Sequence, residues 1–407
     1  MRWRQFFLFL VLSLVVSVAI ACGRSAIQPA PTSESPTVAV EQQVTPSPVA
    51  ASPTPLPIPP EALAIAASAG PNGLYNPPRG DVRLVAISDL NASYGSTDYD
   101  PEVDKGIQLI PFWQPDLVVC SGDMVAGQSP SLTREQLRAM WAAFDQHVTA
   151  PLRRAQLPFG FTVGNHDASS ARGVNGQFLF QVERDTTAEF WQNPTHRPGV
   201  QFVDLSQFPF YYTFELNGIF FLAWDGSSSH IPPDKLAWVE TALASPRAQQ
   251  AKLRIVLGHL PLYAVAVGRD EPGEVLENTE QLRALLEKYN VHTYISGHDH
   301  AYYPAHRGKL QLLHMGILGS GPRPYLEGNL LPRKSLTVID VKFDSPELTT
   351  YTTYDIQTLQ RIEYAELPRS LKAHNGLVVR RDIPWEDLTA EEKASCEQQL
   401  GRELCTA

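Results

Sequence analysis

The sequence predicts an α/β fold that closes in a run of strands. Three observations predict it. From about residue 80, β-branched apolar runs alternate with segments of helical period, the mark of α/β architecture. Asn217-Gly218 sits between two aromatic runs, a strong hairpin signal. The last runs, from about residue 310, follow one another with no helical pattern between them.

In order, "DVRLVAIS" predicts a strand and "PEVDKGIQLIPFW" a helix; "PDLVVCS" reads as a buried strand. "TREQLRAMWAAFDQHV" places Leu137, Met140, Trp141, Phe144 and Val148 at helical spacing, and Thr133 with Gln136 forms a capping box. "PFGFTVG" is a strand, "FYYTFEL" and "IFFLAWD" the hairpin arms, "PPDKLAWVETALA" a helix and "KLRIVLG" a strand. In "NTEQLRALLEKYN" Asn278 caps a helix that Asn290 stops. "VHTYIS", "LQLLHMGILG", "SLTVIDVKF" and "LTTYTTYDI" read as strands. Residues 168–208 have weak periodicity and read as a long loop that walls a substrate site.

The chain of 407 residues is 43% hydrophobic, enough for a sizeable core, and its charge of −10 argues against a nonspecific nucleic-acid binder. Nucleic acid is expected, at most, as substrate. "MRWRQ" followed by "FFLFLVLSLVVSVAI" is the basic and apolar pattern of an export signal, assigned to residues 1–21. Ala19 and Ala21 fit an ordinary cleavage site, yet the same cut leaves Cys22 first, as in a bacterial lipoprotein. The lipoprotein reading is preferred, since a lone N-terminal thiol otherwise has no purpose. It makes Cys22 a lipidation site and the membrane a partner, in place of a secreted or periplasmic protein. An uncleaved anchor is a third reading, at the short edge of the ~17–25 residues that a span requires. Residues 22–62 are rich in Pro, Ser and Thr and read as a disordered tether. The folded domain is assigned to residues 63–368 and a C-terminal extension to 369–407. Cys120 reads as a buried apolar residue, and export makes a Cys396–Cys405 disulfide plausible.

Chemistry-bearing residues gather where strands end. "LVAIS" runs into Asp89, "LVVCSG" into Asp123, "FGFTVG" into Asn165, His166 and Asp167, "RIVLG" into His259, and "TYISG" into His298 and His300. Ligands of α/β sheets bind at the carboxyl ends of strands. Each residue alone has an ordinary explanation, as a helix cap, a turn residue or a loop histidine. Five coincidences together do not. Carboxylate and imidazole without thiolate suit Mn, Fe or Zn. No P-loop and no G-x-G-x-x-G is present.

These elements, "SDLN", "SGDM", "VGNHD", "LGHLP" and "SGHDH", resemble the calcineurin-like metallophosphoesterase superfamily, purple acid phosphatases included, over roughly residues 80–345. The resemblance implies a four-layer α/β/β/α sandwich and two metal ions. One is held by Asp89, Asp123 and His300, the other by Asp123, Asn165, His259 and His298, with Asp123 bridging. It implies hydrolysis of phosphate mono- or diesters by water activated between the cations. Asn165 and His166 meet the substrate, His166 acting as catalytic residue with Asp167 orienting it. One departure stands out. The family's Asp-x-His is Asp89-Leu90-Asn91 here, and Ala126 stands where purple acid phosphatases place a substitute tyrosine. Asn91 is a candidate ligand, and the first metal site is expected to be weaker. Arg323 is a candidate phosphate-binding residue. Tyr302 and Tyr303 line the pocket or pack in the core, and His292 and His314 read as packed histidines. The alternative is a surface binding protein on the same scaffold that has lost turnover through Asn91.

Overall fold

The computed structural model describes residues 57–405. The expected signal, Cys22 and most of the tether lie outside the described residues. The helix Pro60–Ala67 begins inside the stretch assigned to the tether, with Ala62 fully buried. The fold therefore starts a few residues earlier than composition suggests.

Fourteen strands follow among the described residues: β1 (Val82–Ile87), β2 (Leu117–Cys120), β3 (Phe159–Phe161), β4 (Gln201–Gln207), β5 (Tyr211–Leu216), β6 (Ile219–Ala223), β7 (Leu253–Leu257), β8 (Thr293–Ser296), β9 (Tyr303–Arg307), β10 (Leu310–His314), β11 (Ser335–Val341), β12 (Thr349–Asp355), β13 (Ser370–Ala373) and β14 (Gly376–Arg380). They form a five-stranded sheet ordered β12-β11-β1-β2-β3 and a nine-stranded sheet ordered β13-β14-β9-β10-β8-β7-β6-β5-β4. Side chains alternate along β1 as the pleat requires. Val82, Leu84 and Ala86 face the second sheet and pack in one core with Phe214 and Phe221. Val85 and Ile87 face the other way, into a core with Ile107, Phe144 and Trp191. Helices Pro101–Leu109, Arg134–Phe144 and Gln181–Gln192 cover the first sheet, and Pro233–Ala244 and Thr279–Lys288 contribute Val239, Leu243, Leu282 and Leu286 against the second. The four layers are thus helix, sheet, sheet and helix.

Strand direction is what positions the site. β1, β2 and β3 run parallel, as do β6, β7 and β8. Their carboxyl ends share one rim of the sandwich. The hairpin turn is as expected, with Asn217 and Gly218 both at positive φ, and Thr133 with Gln136 closes its capping box.

The structure corrects three readings. Residues 168–208 are not a loop: they contain the helix Gln181–Gln192, a short 3-10 turn Pro194–His196 and β4. The helix's apolar stripe is broken by Glu183, Arg184, Thr186 and Thr187, all buried and all hydrogen-bonded or ion-paired, so hydrophobic period alone does not reveal it. The final strands follow one another without a helix between them, as expected, and are shared between the two sheets. β10 joins the second sheet beside β8, while β11 and β12 return to the first. β9, in "AYYPAHR", went unrecognised. Tyr303 opens it, and Tyr302 precedes it; both pack in the core, 3% exposed for Tyr302 and 0% for Tyr303, the second of the two readings of this pair. Asn278 precedes its helix but makes no side-chain cap, because it sits at φ 55°. The extension from residue 369 adds β13 and β14 to the second sheet through β9, and its terminal helix carries the Cys396–Cys405 disulfide.

Two buried polar contacts support this frame. Arg83 of β1 forks onto Asp340 of β11, its register partner, at 2.9 and 3.0 Å, with both residues at most 4% exposed. Glu183 accepts the amide hydrogens of Gln128 (2.9 Å) and Ser129 (3.0 Å), fixing the segment after β2. Burial pushes the Glu183 carboxyl up to about 7 from an ordinary 4.5, against the pull of those two amides.

D340A should destabilise the protein by about 3–5 kcal/mol in denaturant melts, because it strands a buried guanidinium; a loss below about 1 kcal/mol would contradict this. Folded Glu183 keeps a proton that the unfolded chain releases between the two values, so this group's contribution to stability falls as pH rises from about 4.5 to about 7. Native protein should therefore lose stability relative to E183Q across that interval, and parallel pH profiles would refute the assignment.

Candidate metal centre

Five strand ends deliver the polar residues to one place. Past β1 come Ser88 and Asp89; past β2, Ser121, Gly122 and Asp123; past β3, Gly164 and Asn165; past β7, Gly258 and His259; past β8, Gly297, His298 and His300. The two sheets are stitched together here. His298 N donates to the Asp89 carboxylate at 3.2 Å, and Thr162 Oγ1 donates to Trp224 O at 2.6 Å.

The backbone at this rim is held in an uncommon conformation. Asp89, Asp123, His298 and His300 all have positive φ, between 51° and 68°. Non-glycine residues rarely adopt this region, and such outliers gather at functional sites where the surroundings impose them. The intervening glycines have a steric reason. A Cβ on Gly164 would lie 2.1 Å from Asp123 Oδ1, and one on Gly297 would lie 2.3 Å from Ser88 Oγ and 2.6 Å from Asp89 Oδ2.

The side chains then converge. Asp89, Asp123 and His259 each offer a ligand atom within 4.8 Å of the others, all buried. His259 Nε2 is 3.3 Å from Asp123 Oδ2 and 2.9 Å from Asn165 Oδ1. His298 Nδ1 is 3.0 Å from the same Asn165 oxygen. His300 Nε2 is 3.3 Å from Asp89 Oδ1. Asn165 is oriented by its amide nitrogen, which donates to Gln128 Oε1 at 2.8 Å and so turns Oδ1 inward.

The outer nitrogens settle which atoms carry protons. His259 Nδ1 donates to Ser121 O (2.7 Å), His300 Nδ1 to Gly321 O (2.9 Å) and His298 Nε2 to the Glu274 carboxylate (2.8 Å). A carbonyl or carboxylate only accepts, so the outward nitrogen of each ring carries a hydrogen. In the neutral form of a ring, the inward nitrogen presents its lone pair to those of Asp89, Asp123 and Asn165. Asp123 Oδ2 is buried without a hydrogen-bond partner. Such a cluster repels itself unless positive charge lies inside it, and its oxygen and imidazole donors fit a divalent or trivalent cation. The electrostatics show the same demand for positive charge: burial opposes charge on His259, yet the Asp123 and Asp89 carboxylates overcome it and hold that imidazole up at about 9, so that without a cation a proton on its inward nitrogen answers them. Against its own burial, Asp123 is held far below the usual carboxylate range by His259 and His166. Burial holds His298 down at about 4.

The remaining expected residues fall as follows. His166 lies at the rim, its Nε2 3.9 Å from Asp123 Oδ2, its N donating to Asp123 Oδ1 at 2.8 Å and its Nδ1 donating to Gly127 O at 3.1 Å. Asp167 does not orient it. The Asp167 carboxylate faces away and accepts the amides of Met124 (2.7 Å), Val125 (2.9 Å) and Gly164 (2.8 Å), bracing the loops behind Asp123. Burial and the Asp123 charge push its carboxyl up to about 7. Asn91 is held by its main chain, donating to Asp123 O (3.2 Å) and accepting from Ser320 N (3.0 Å). Arg323 donates its main-chain N to His300 O (3.2 Å), but its guanidinium bonds Val267 O (3.2 Å) and no side chain of the cluster. Sequence reasoning missed Gln128, Gly127 and Glu274, which act through shape and bear no motif. It also missed Tyr94, 65% exposed, whose ring lies 5.0 Å from that of His166.

Residues 82–302, more than half of the chain, match the family model for calcineurin-like phosphoesterase. No curated protein sequence matches the chain. Solved structures with a similar fold include a purple acid phosphatase from yellow lupin (Lupinus luteus) seeds, at 15% identity and TM-score 0.48, covering 72% of this chain. This chain spans only 54% of that protein's length. A dimetal phosphatase from Danio rerio shares 14% identity at TM-score 0.45, covering 67% of this chain and 95% of its own. GAP50, the anchor in the inner membrane complex of Plasmodium, shares 17% at TM-score 0.45, covering 69% and 87%. With the family match spanning all five strand ends that bear the candidate ligands, the chain belongs to the calcineurin-like phosphoesterase family.

Proposed function

We propose that the protein is an exported, lipid-anchored phosphoesterase that hydrolyses phosphate mono- or diesters with two metal ions. The observation that carries the reading is the inward convergence of lone pairs whose outer partners are already fixed. Asp89, Asp123 and His300 hold one cation; Asp123, Asn165, His259 and His298 hold the other. The intact donor set of the second, with three uncharged ligands and one shared carboxylate, makes it the tighter site. Asn91 supplies at most an amide oxygen to the first, a weaker donor than imidazole. Manganese, iron and zinc all suit these donors. When bound, the pair supplies Lewis acidity at the phosphoryl oxygens and a water nucleophilic at neutral pH.

The protein's own groups do the rest. Asn165, held by Gln128, and the imidazoles place the phosphoryl group against the rim. His166 keeps its Nδ1 hydrogen on Gly127 O, so its ring cannot turn. When protonated, it donates from Nε2 to the leaving oxygen. The Tyr94 ring lies 5.0 Å from that of His166, beside the group that would donate this proton. Arg323 as a phosphate-binding residue would have to release Val267 O, which its guanidinium now bonds.

Export is supported by the basic-apolar N-terminus and by the Cys396–Cys405 disulfide, which suits an oxidising compartment. Among the described residues no helix is long and apolar enough to cross a membrane. Attachment through Cys22 rests on the lipoprotein-like pattern that ends at this residue.

Metal-replete protein should hydrolyse p-nitrophenyl phosphate or its bis-ester with at least one of Mn, Fe or Zn. H166A should lower kcat by about 10²–10⁴-fold while retaining its metal. Absence of hydrolysis with all three metals would overturn the assignment and favour a binding protein on this scaffold, whereas an H166A enzyme of native rate would overturn the role of His166. C22S should move the protein from the membrane to the soluble fraction; unchanged membrane association would contradict the anchor.

A further inference from the structure

We propose that Glu274, clamped by Arg269, is a positioning residue that fixes which nitrogen of His298 faces the metal centre. The inference rests on the metal-centre reading above. Its basis is a closed ring of three contacts. Glu274 Oε2 accepts from His298 Nε2 at 2.8 Å. The same oxygen accepts from Arg269 Nη1 at 2.6 Å. Arg269 Nε donates to the main-chain oxygen of His298 at 2.9 Å. One loop thus grips both the ring and the backbone of a single residue.

His298 needs that grip more than its neighbours do. It sits at φ 68°, in a conformation its own chain disfavours. His259, His300 and His166 turn their outer nitrogens to main-chain carbonyls, which are held by the fold around them. His298 alone of the four uses a carboxylate. It is also the one of the three expected histidine ligands that presents Nδ1 inward, whereas His259 and His300 present Nε2. The ring must therefore be held with its nearer nitrogen facing in and its proton on the farther one. A carboxylate at Nε2 enforces that tautomer and makes Nδ1 the stronger donor. Without it the ring is free to carry its hydrogen at Nδ1, where it would meet a cation.

The loop is anchored at a second point. Asp270 Oδ1 accepts both the main-chain N (2.6 Å) and Nδ1 (2.7 Å) of His374, in the turn between β13 and β14. The C-terminal extension therefore braces the segment that bears Arg269 and Glu274. Glu274 is 36% exposed at its side chain and lies in no core cluster, so its removal spares the packing.

The test is metal affinity of the full-length protein, measured by chelator competition with Mn²⁺ or Zn²⁺, for native, E274A, E274Q and R269A proteins. E274A should weaken one of two metal equivalents by about 10–100-fold and leave the other within about twofold, with the melting temperature of the metal-free protein unchanged. E274Q keeps an acceptor without the charge, and should fall between native and E274A, as should R269A. A purely structural role would lower the metal-free melting temperature and weaken both equivalents together, and that result overturns the proposal. So does E274A binding both equivalents as tightly as native protein, which leaves the metal centre itself standing. Native protein that takes up no metal at all overturns the metal-centre reading, and this inference with it.

Discussion

A carboxylate that is fully buried has to be answered by positive charge, and Asp123 is that carboxylate. One of its oxygens accepts the His166 amide, and the other lies 3.3 Å from His259 Nε2. Around it the fold gathers further oxygen and imidazole acceptors. Three parallel strands of one sheet and two of the other end at this rim, and each contributes an oxygen or an imidazole nitrogen. Desolvating so many acceptors together is unfavourable without a cation, since unpaired buried charge is among the costliest features a protein can carry. The sandwich spends its stability at this point, in left-handed backbone at Asp89, Asp123, His298 and His300.

What keeps the arrangement from relaxing lies one layer out. Each imidazole is tied on its far side, to Ser121, Gly321, Gly127 or Glu274. Asn165 is tied through Gln128, whose own amide is pinned by the buried carboxylate of Glu183. Asp167 braces three amides behind the bridging residue. The inner donors thus have their orientation set before anything binds, which is the form of preorganisation that metal affinity and electrostatic catalysis both draw on.

The part of this that sequence makes legible is the part governed by local rules. Strand runs, the Thr133 capping box and the Asn217-Gly218 turn depend on near neighbours, and so does the habit of ending a strand in glycine and then a polar side chain. The candidate cluster followed from that habit repeated five times. The helix Gln181–Gln192 escaped because buried Glu183, Arg184, Thr186 and Thr187 interrupt its apolar stripe, and their partners are fixed only by tertiary contacts. β9 escaped because "AYYPAHR" contains a proline that reads against a strand. Asp167 was given a task by adjacency to His166, but successive residues at the start of that short helical turn point in different directions. Glu274 bears no motif: it lies 24 residues from His298, and only the folded loop brings the two within 2.8 Å.

The central claim is that the cluster around Asp123 holds a pair of cations. Anomalous diffraction from crystals of the metal-loaded protein tests it most directly. The account predicts two peaks about 3.5–4 Å apart, one on either side of the Asp123 carboxylate, with His259 and His298 on one and His300 on the other. Anomalous density confined to sites away from Asp123, or none in a protein with every one of these side chains ordered, would contradict it.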